Sequence, residues 1–286
     1  MPNPFKRQGS SYRSGDWWAW PLGLLAQIDA ELTGDCPQTI ALVGDIGSGK
    51  TTALDAYRAR IAKTQLKDIF VRIDVGKRSA EQWTTIHRDI YVELVAALGV
   101  EAHDNAVKKL NLSARHTGNY LQQHEIFDVV EAMIQHSVSE GAGVHVLLDE
   151  CQRPMEYYER GRARAQIDSW FELLKNIAEA VSRGGGRLLI TTTPSPWDGA
   201  PQHVRDRFVD LRADAPMAGE IQAFITEGLK HVDKDKPDQA DAGLGALVKA
   251  KHPALITPRQ LHDLLWKMWN KARSAGASML VEEHLP

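Results

Sequence analysis

The sequence predicts an α/β fold in which helices cover a parallel sheet, followed by a small helical region at the C-terminal end. Apolar strand-like runs alternate with helical segments up to about residue 215, and only helical patterns follow from Pro216. Strands separated by helices require crossover connections, so this alternation predicts a parallel sheet with both faces covered. We therefore expect an N-terminal arm at 1–20, an α/β core at 21–215, and a helical lid with a C-terminal tail at 216–286.

The individual elements can be assigned from periodicity and from the residues that stop them. Five strands are expected, at 38–45, 69–75, 144–150, 187–194 and directly after Phe208. Helical spacing in the core covers 21–33, 51–64, 80–99, 121–137 and 167–183, and in the lid 217–232, 241–251 and 258–273. The glycines at 184–186 end the helix at 167–183, and Pro194 ends the strand that follows them. The charged stretch "HVDKDKPDQAD" is expected to connect two lid helices.

Composition limits the classes of function. The chain has 286 residues, of which 25% are charged and 43% hydrophobic, as in an ordinary globular protein. Its formal net charge of -3 means that any contact with nucleic acid must come from a local basic patch. The two cysteines, Cys36 and Cys151, have no metal-ligand spacing and are too few for a disulfide framework. No apolar run approaches the ~18 residues that span a bilayer, so we expect a reducing, cytoplasmic compartment.

The segment "GDIGSGKTT" matches the pattern G-x-x-x-x-G-K-[ST] and lies between an apolar strand and a helix. The glycines allow backbone N–H groups to surround a phosphate chain, and the helix N-terminus favours negative charge. We expect Lys50 to reach the β- and γ-phosphates of ATP, and the Thr51 hydroxyl to bind Mg²⁺. A glycine-rich turn with an unrelated lysine is the alternative, which the flanking strand and helix disfavour. The predicted nucleotide-binding residues here are Gly44, Asp45, Ile46, Gly47, Ser48, Gly49, Lys50, Thr51 and Thr52.

The strand "VHVLLDE" ends in two carboxylates. Asp149 is expected to bind Mg²⁺, and Glu150 to polarise the water that attacks the γ-phosphate. A polar turn is the alternative for two acids at a strand end. We expect His145, inside the same strand, to be a hydrogen-bonded core residue. The next strand ends in Thr191, Thr192 and Thr193, of which Thr192 or Thr193 is favoured as a sensor of the γ-phosphate; β-branched residues also simply favour strands.

Five segments in this order and spacing resemble an AAA+ ATPase: "ALVGDIGSGKTT", "VHVLLDE", "LLITTTP", "RDRF" and "ITPRQLHDLLWKM". The resemblance covers roughly residues 20–273 and implies an AAA+ P-loop NTPase core with a helical lid. The "NPF" near the start, the long segment 69–99 and the helix opening "TPRQ" are most similar to the initiator-like clade. That clade contains origin-recognition ATPases and the ATP-dependent target-selection regulators of bacterial transposons. Few residues follow Ala272, so no winged-helix domain and no sequence-specific origin binding are expected.

The resemblance also assigns roles to three arginines. Arg207, just before Phe208 and the last core strand, matches the arginine finger that points at a neighbouring subunit's γ-phosphate; Arg205 is the alternative. Arg259, at the start of the last lid helix, matches the cation that contacts nucleotide from the lid. A cation at a helix N-terminus is unfavourable. The presence of arginine at this position therefore fits a role in binding an anion.

Basic residues after the second strand and in the segment that follows are candidates for nucleic-acid contact. In AAA+ rings the loops at this level face the central channel and can follow a phosphate backbone. A solvated charged surface is the alternative. The candidates are Lys77, Arg78, Lys108, Lys109 and Arg115, the last three of which are expected in a loop.

Together these patterns predict an ATPase that binds and hydrolyses ATP·Mg²⁺ and assembles into a ring or a helical filament. We expect assembly on double-stranded DNA and recruitment or regulation of a protein partner such as a transposase or nuclease. The alternative is a signalling or defence NTPase switch that binds a protein or small molecule without DNA. A scaffold that binds nucleotide without hydrolysis is disfavoured by Glu150.

Overall fold

The structure is a computed structural model that describes residues 22–32, 39–112, 121–213, 217–230, 239–253 and 257–286. The strands are β1 (Thr39–Val43), β2 (Ile69–Asp74), β3 (Val144–Asp149), β4 (Arg187–Thr192), β5 (Val209–Arg212), β6 (Gln239–Ala240) and β7 (Met279–Leu280). The helices up to β3 are α1 (Leu22–Leu32), α2 (Lys50–Thr64), α3 (Ala80–Trp83), α4 (Ile86–Leu98), α5 (Val100–Lys109) and α6 (Gln123–Ser139). Those that follow are α7 (Gln152–Arg160), α8 (Arg164–Arg183), α9 (Pro194–Asp198), α10 (Gln202–Arg205), α11 (Ala218–Lys230), α12 (Leu244–Lys251) and α13 (Pro258–Ser274).

The predicted sheet is confirmed, with five strands in the order β2-β3-β4-β1-β5. The pairs β2–β3, β3–β4 and β4–β1 are parallel, so these four strands end at the same edge of the sheet. All five residues of β1 are buried, as expected of a central strand covered on both faces. On one face, Ala41 and Val43 of β1 join an apolar core to which α4, α6 and α8 contribute.

The helical region between β2 and β3 differs from its prediction. The expected helix at 80–99 is two helices that are separated at Thr84–Thr85, and the first begins with a capping box formed by Ser79 and Gln82. Gly99, at φ +86°, ends α4 in a conformation that other residues rarely adopt, and α5 follows at once. Lys108 and Lys109 therefore lie in the last turn of a helix, where a loop was expected. Arg115 lies outside the described residues.

His145 is a core residue, as predicted. It is 1% exposed, its ring is stacked 4.7 Å from that of Phe70, and its two nitrogens contact Tyr57 Oη at 2.7 Å and Asp68 Oδ2 at 2.8 Å. Burial lowers the pKa of His145, and the neighbouring carboxylate of Asp68 opposes that shift. Burial also raises the pKa of Tyr57 to about 12. Because every polar group of this network has a partner, it stabilises the amino ends of β2 and β3.

The described residues divide into two compact units. One contains 28–43 and 57–211, and includes most of the sheet with its helices. The other contains 22–27, 44–56 and the described part of 212–286. In the second unit, apolar residues of α11, α12 and α13 form a separate core around Leu265 and Trp269. Thr257 caps α13 by accepting a hydrogen bond from the backbone N–H of Gln260, which explains why this helix begins at Pro258. The domain limits from the sequence remain a prediction.

None of the helices in the described segments is long and apolar enough to cross a membrane.

One buried histidine predicts how stability depends on pH. His87 of α4 is 5% exposed and packs against the ring of Phe127, with centroids 5.5 Å apart. Burial, and secondarily the charge of Arg88, lowers its pKa from 6.5 to about 4. The unfolded chain therefore takes up a proton as pH falls below 6.5, while the folded chain stays neutral until about 4. We expect His87 to lower the free energy of unfolding by about 2 kcal/mol between pH 7 and pH 5.

The variant His87→Phe keeps a ring against Phe127 but cannot titrate. Urea denaturation at pH 7 and pH 5 should therefore show a smaller loss of stability for the variant than for the native chain. An equal loss in both proteins would show that His87 is not the group responsible.

Candidate functional site

The predicted phosphate loop lies between β1 and α2. Gly47 and Gly49 have φ of +87° and +92°, which are left-handed conformations that favour glycine. Gly44 has no room for a side chain, because a Cβ there would lie 2.7 Å from Cβ of Ala213. The loop closes with a hydrogen bond of 3.1 Å from Ser48 N–H to the carbonyl of Asp45. These glycines therefore let the backbone take the curved path that a phosphate-binding loop needs.

Lys50 is folded back onto this loop. Its ammonium group donates to the carbonyls of Gly44 at 2.6 Å and Asp45 at 2.9 Å, and lies 3.4 Å from Ser48 Oγ. The residue is only 6% exposed. Thr51 and Thr52 follow in the first turn of α2 and are half-buried, while Ile46 at the tip of the loop is 61% exposed.

Arg259 contacts the phosphate loop from α13. Its backbone N–H donates to the carbonyl of Gly47 at 3.4 Å, and a Cβ on Gly47 would lie 2.9 Å from Cβ of Arg259. The side chain is exposed. The structure therefore brings Arg259 to the loop that the sequence pattern assigned to nucleotide phosphates.

Asp149 lies at the carboxyl end of β3, with a side chain 3% exposed. Thr191 Oγ1 donates to Asp149 Oδ1 at 2.6 Å, and Arg72 Nη2 of β2 lies 3.3 Å from Asp149 Oδ2. Thr191 Oγ1 also accepts a hydrogen bond of 2.8 Å from the backbone N–H of Glu150. Both oxygens of this buried carboxylate therefore have a donor within the sheet.

Glu150 has a backbone φ of +64°, which is uncommon for a residue with a side chain. A Cβ on Gly76, in the turn after β2, would lie 3.0 Å from Cβ of Glu150, so a side chain at position 76 would have to displace Glu150 slightly. Glu150 Oε2 accepts from Gln152 Nε2 at 2.9 Å and from Arg153 Nε at 3.0 Å. The acid predicted to act as a base is thus held by two donors of α7.

The three threonines of the sensor prediction have different environments. Thr191 bonds to Asp149, whereas the buried Thr192 Oγ1 has no hydrogen-bond partner among the described residues. Thr193 is 9% exposed and precedes α9 as its N-cap residue. Thr192 therefore has a hydroxyl that is available for another group, and the sensor assignment remains a prediction.

Arg207 lies between α10 and β5 and is 53% exposed. Its guanidinium is 3.1 Å from Glu179 of α8, and its backbone carbonyl accepts a hydrogen bond from Thr39 Oγ1, at the amino end of β1. Arg205 is less exposed and donates to Gln202 Oε1 at 2.7 Å. Arg207 also lines a cavity of about 300 Å³ next to α8.

The predicted nucleic-acid residues that the structure describes are not brought together. Lys77 and Arg78 follow the carboxyl end of β2 and contact Asp74 at 2.8 Å and Asp89 at 3.2 Å. The Asp74 carboxylate raises the pKa of Lys77. Lys109 instead donates to Gln135 at 3.0 Å, and Gln135 contacts the carbonyl of Arg183 at 3.4 Å, just before β4 begins. Lys77 and Arg78 therefore lie at the carboxyl ends of the strands, and Lys109 lies towards the amino ends.

Three residues of the site were not identified from the sequence. Arg72 and Glu179 face Asp149 and Arg207, and Asp74 is paired in register with Asp149. The strand "IFVRID" alternates apolar and charged residues, and this pattern could have shown that Arg72 and Asp74 share one face of β2.

The chain belongs to the AAA domain family, whose profile matches residues 36–197. The matched residues run from β1 into α9 and therefore include the predicted phosphate loop, both acids and the three threonines. A search of curated proteins found no match.

Solved structures with a similar fold include origin-recognition and Cdc6 proteins. The Aeropyrum pernix ORC2 protein, solved as ADPNP–ADP complexes, has a TM-score of 0.54 at 15% identity, covering 99% of this chain and 70% of that one. Cdc6p from Pyrobaculum aerophilum has a TM-score of 0.52 at 14% identity, with 98% and 68% covered. Drosophila ORC bound to DNA has a TM-score of 0.50 at 14% identity, covering 92% of this chain. The present chain spans only 57% of that Drosophila chain.

The contrast between Thr191 and Thr192 gives a matched pair of variants. Thr191→Val leaves an oxygen of Asp149 and the N–H of Glu150 without their partner, so we expect a loss of about 1–3 kcal/mol in the free energy of unfolding. Thr192→Val replaces a hydroxyl that has no partner among the described residues by a methyl group of similar size, and should be neutral or stabilising. Chemical denaturation without nucleotide measures both. Equal losses in the two variants would contradict this account of the hydrogen bonds.

Proposed function

We propose that the chain is an ATPase that binds ATP with Mg²⁺, hydrolyses it, and assembles with copies of itself on double-stranded DNA. The observation that carries the proposal is the phosphate loop, in which Gly47 and Gly49 adopt left-handed conformations ahead of a helix that begins at Lys50. The Lys50 ammonium group contacts that loop, and Nε of Arg259 would lie 3.3 Å from a Cβ on Gly47. In this proposal Lys50 exchanges its contacts with loop carbonyls for contacts with phosphate oxygens.

The residues assigned to Mg²⁺ have the right chemistry for that ion. Mg²⁺ prefers oxygen ligands and is commonly held by one or two carboxylates together with waters and substrate phosphates. No group of three or more His, Cys, Asp or Glu residues suited to a metal occurs in the described segments, so a cage made by protein alone is not expected there. Asp149 and the Thr51 hydroxyl are the donors that we assign. When bound, Mg²⁺ would neutralise charge that develops on the phosphate oxygens.

Glu150 is the proposed base. Its position directly after Asp149 puts a second carboxylate at the end of β3, where it would accept a proton from the attacking water. Both Gln152 and Arg153 donate to Oε2, so Oε1 is the oxygen that would accept this proton. Thr192, whose hydroxyl is buried, is the residue that we favour to report on the γ-phosphate.

The position of Arg207 supports action on a neighbouring subunit. Its backbone carbonyl accepts a hydrogen bond from Thr39, at the amino end of β1. Ala41 of β1 is level with Ile190 of β4 and with Leu148 of β3, and Asp149 follows Leu148. Thr39 and Asp149 are therefore separated by about 10 Å along the strands and about 10 Å across two strand spacings. The guanidinium points to α8, so Arg207 is poorly placed to serve the acids of its own chain.

DNA, a protein partner and self-assembly enter the proposal by analogy. The Drosophila structure with a similar fold is an origin-recognition complex bound to DNA. A transposase or nuclease is the class of partner that the initiator-like resemblance suggests. The signalling or defence switch stays as a second candidate, because Lys77, Arg78 and Lys109 contact groups within the chain and do not form one basic surface.

A mixing experiment tests hydrolysis and action in trans together. Glu150→Gln should bind ATP but hydrolyse it about 10²-fold more slowly or worse, because the base is lost. Arg207→Ala should bind ATP with native affinity yet lose roughly 10³-fold in turnover. Each variant retains the group that the other lacks, so mixed assemblies contain interfaces at which both are intact. ATPase activity should therefore reappear on mixing, with a maximum at an intermediate ratio.

The matched control is Arg164→Ala, which removes an exposed arginine that pairs with Asp168 at 3.3 Å and should leave turnover unchanged. If the two variants co-assemble in a pull-down but mixing restores no activity, Arg207 does not act in trans. If Glu150→Gln hydrolyses ATP at the native rate, the assignment of the base is wrong.

DNA binding is tested by reversing charge at the end of α5. Lys108→Glu/Lys109→Glu should weaken ATP-dependent binding to all duplex sequences alike. It should also make the negative slope of log K against log salt less steep, by up to about 2. ATP binding should be unchanged. The control Arg58→Glu/Lys63→Glu makes the same change of charge on α2. Fluorescence anisotropy over a salt titration measures binding, with Lys50→Ala as the variant expected to lose the ATP dependence.

An equal loss in the control variant would show that only overall charge matters. No binding by the native chain with ATP at low salt would favour the switch that works without DNA.

A further inference from the structure

Arg72 occupies an unusual position in the sheet. It lies in β2 opposite Leu147 of β3, and its guanidinium reaches along the sheet to Asp149 Oδ2 at 3.3 Å. The Arg72 side chain is 26% exposed, and that of Asp149 is 3% exposed. A charged residue in a half-buried strand is costly unless it has a partner, so this pair accounts for the presence of arginine there.

The pair of Arg72 and Asp149 lies among other charged and polar side chains. Asp74, two residues beyond Arg72 on the same face of β2, is in register with Asp149, and its own partner is Lys77 at 2.8 Å. Thr191 donates to the other oxygen of Asp149. Asp149, the carboxylate that we assign to Mg²⁺, thus lies beside the carboxylate of Asp74 in β2. The guanidinium of Arg72, also in β2, is directed at Asp149.

We infer that Arg72 is a positioning residue and counter-charge for Asp149, and that it sets the Mg²⁺ concentration at which the chain binds ATP. This inference rests on the proposed function, in which Asp149 is a Mg²⁺ ligand. A guanidinium beside that carboxylate repels an incoming divalent cation. Metal binding then requires the additional negative charge of the nucleotide phosphates, so Mg²⁺ and ATP bind together.

The size of the effect follows from Coulomb's law. Two unit charges about 4 Å apart interact by about 1 kcal/mol even in bulk water, which corresponds to about a fivefold change in an equilibrium constant. Mg²⁺ carries two charges, and a partly buried site is screened less than bulk water. Removing the charge of Arg72 should therefore lower the Mg²⁺ requirement by about fivefold or more.

The experiment measures binding rather than turnover. A fluorescent, non-hydrolysable ATP analogue is titrated with Mg²⁺ in the presence of the native chain, Arg72→Gln and Arg72→Lys. Arg72→Gln should reach half-maximal binding at about fivefold lower Mg²⁺, and Arg72→Lys should stay near the native value because it keeps the charge. In an Asp149→Asn background, Arg72→Gln should cause no such shift, because the carboxylate that couples Arg72 to the metal has gone.

Several outcomes overturn the inference. A merely structural role predicts the opposite sign, since a misplaced Asp149 would require more Mg²⁺. An unchanged requirement in Arg72→Gln, or a shift that persists with Asp149→Asn, also rejects it. Circular dichroism checks that the variants fold; Arg72→Met, whose apolar stem packs where that of arginine did, replaces Arg72→Gln if the latter unfolds. If neither neutral variant folds, Arg72→Lys decides, and a fivefold change in its Mg²⁺ requirement rejects the inference.

Failure of the proposed function would be recognised separately. In that case the native chain would not bind the analogue at any Mg²⁺ concentration. Native binding that depends on Mg²⁺, without a shift in Arg72→Gln, would reject only the role of Arg72.

Discussion

The hydrogen bond from Thr191 to Asp149 joins the carboxyl ends of β3 and β4, and the arrangement of the acids depends on it. Leu148 pairs with Ile190, so parallel register puts Thr191 beside Asp149. The same hydroxyl accepts from the N–H of Glu150, where the chain turns into a left-handed conformation. One side chain therefore orients the carboxylate and holds the turn that follows it. A register shift of one residue would turn this hydroxyl to the other face of the sheet.

The charged side chains of the site form ion pairs within the chain, and these pairs differ in the free energy needed to break them. Arg207 and Glu179 are partly exposed, as are Arg153 and Glu150. Exposed pairs of this kind contribute about 0–1 kcal/mol, so they can separate easily when a phosphate or another subunit offers a better partner. Asp149 is buried, and removing the charge of Arg72 beside it would cost more than removing one partner of an exposed pair. Under the proposed function, the ion pairs of Arg207 and Glu150 can thus separate for chemistry while Asp149 keeps a fixed position.

The sequence predicted the fold well because its main patterns are local. Apolar runs and helical periodicity predicted the five strands, and the glycines at 44, 47 and 49 lie in the turn between β1 and α2 in which the phosphate loop is expected. The errors lie where details other than periodicity set the limits of helices. Periodicity predicts one helix over 80–99, whereas the chain forms α3, which begins with the capping box at Ser79, and α4, which ends at Gly99. Partners of charged residues could not be predicted either. Arg72 and Asp149 are 77 residues apart in the chain, and only strand pairing brings them together.

The position of Arg207 has a consequence for assembly under the proposed function. Arg207 is anchored at the amino end of β1, whereas the acids follow the carboxyl end of β3, so one copy would present its arginine and the next its acids. Such a contact is heterologous and leaves an unused arginine at one end and an unused acid site at the other. Copies would continue to add until a ring closes or a filament forms. In an open assembly one site always lacks its arginine, so a pair of subunits completes only one of its two sites, whereas a closed ring completes all of them. Activity per subunit would therefore rise with the length of the assembly, which makes hydrolysis itself sensitive to how many copies have gathered.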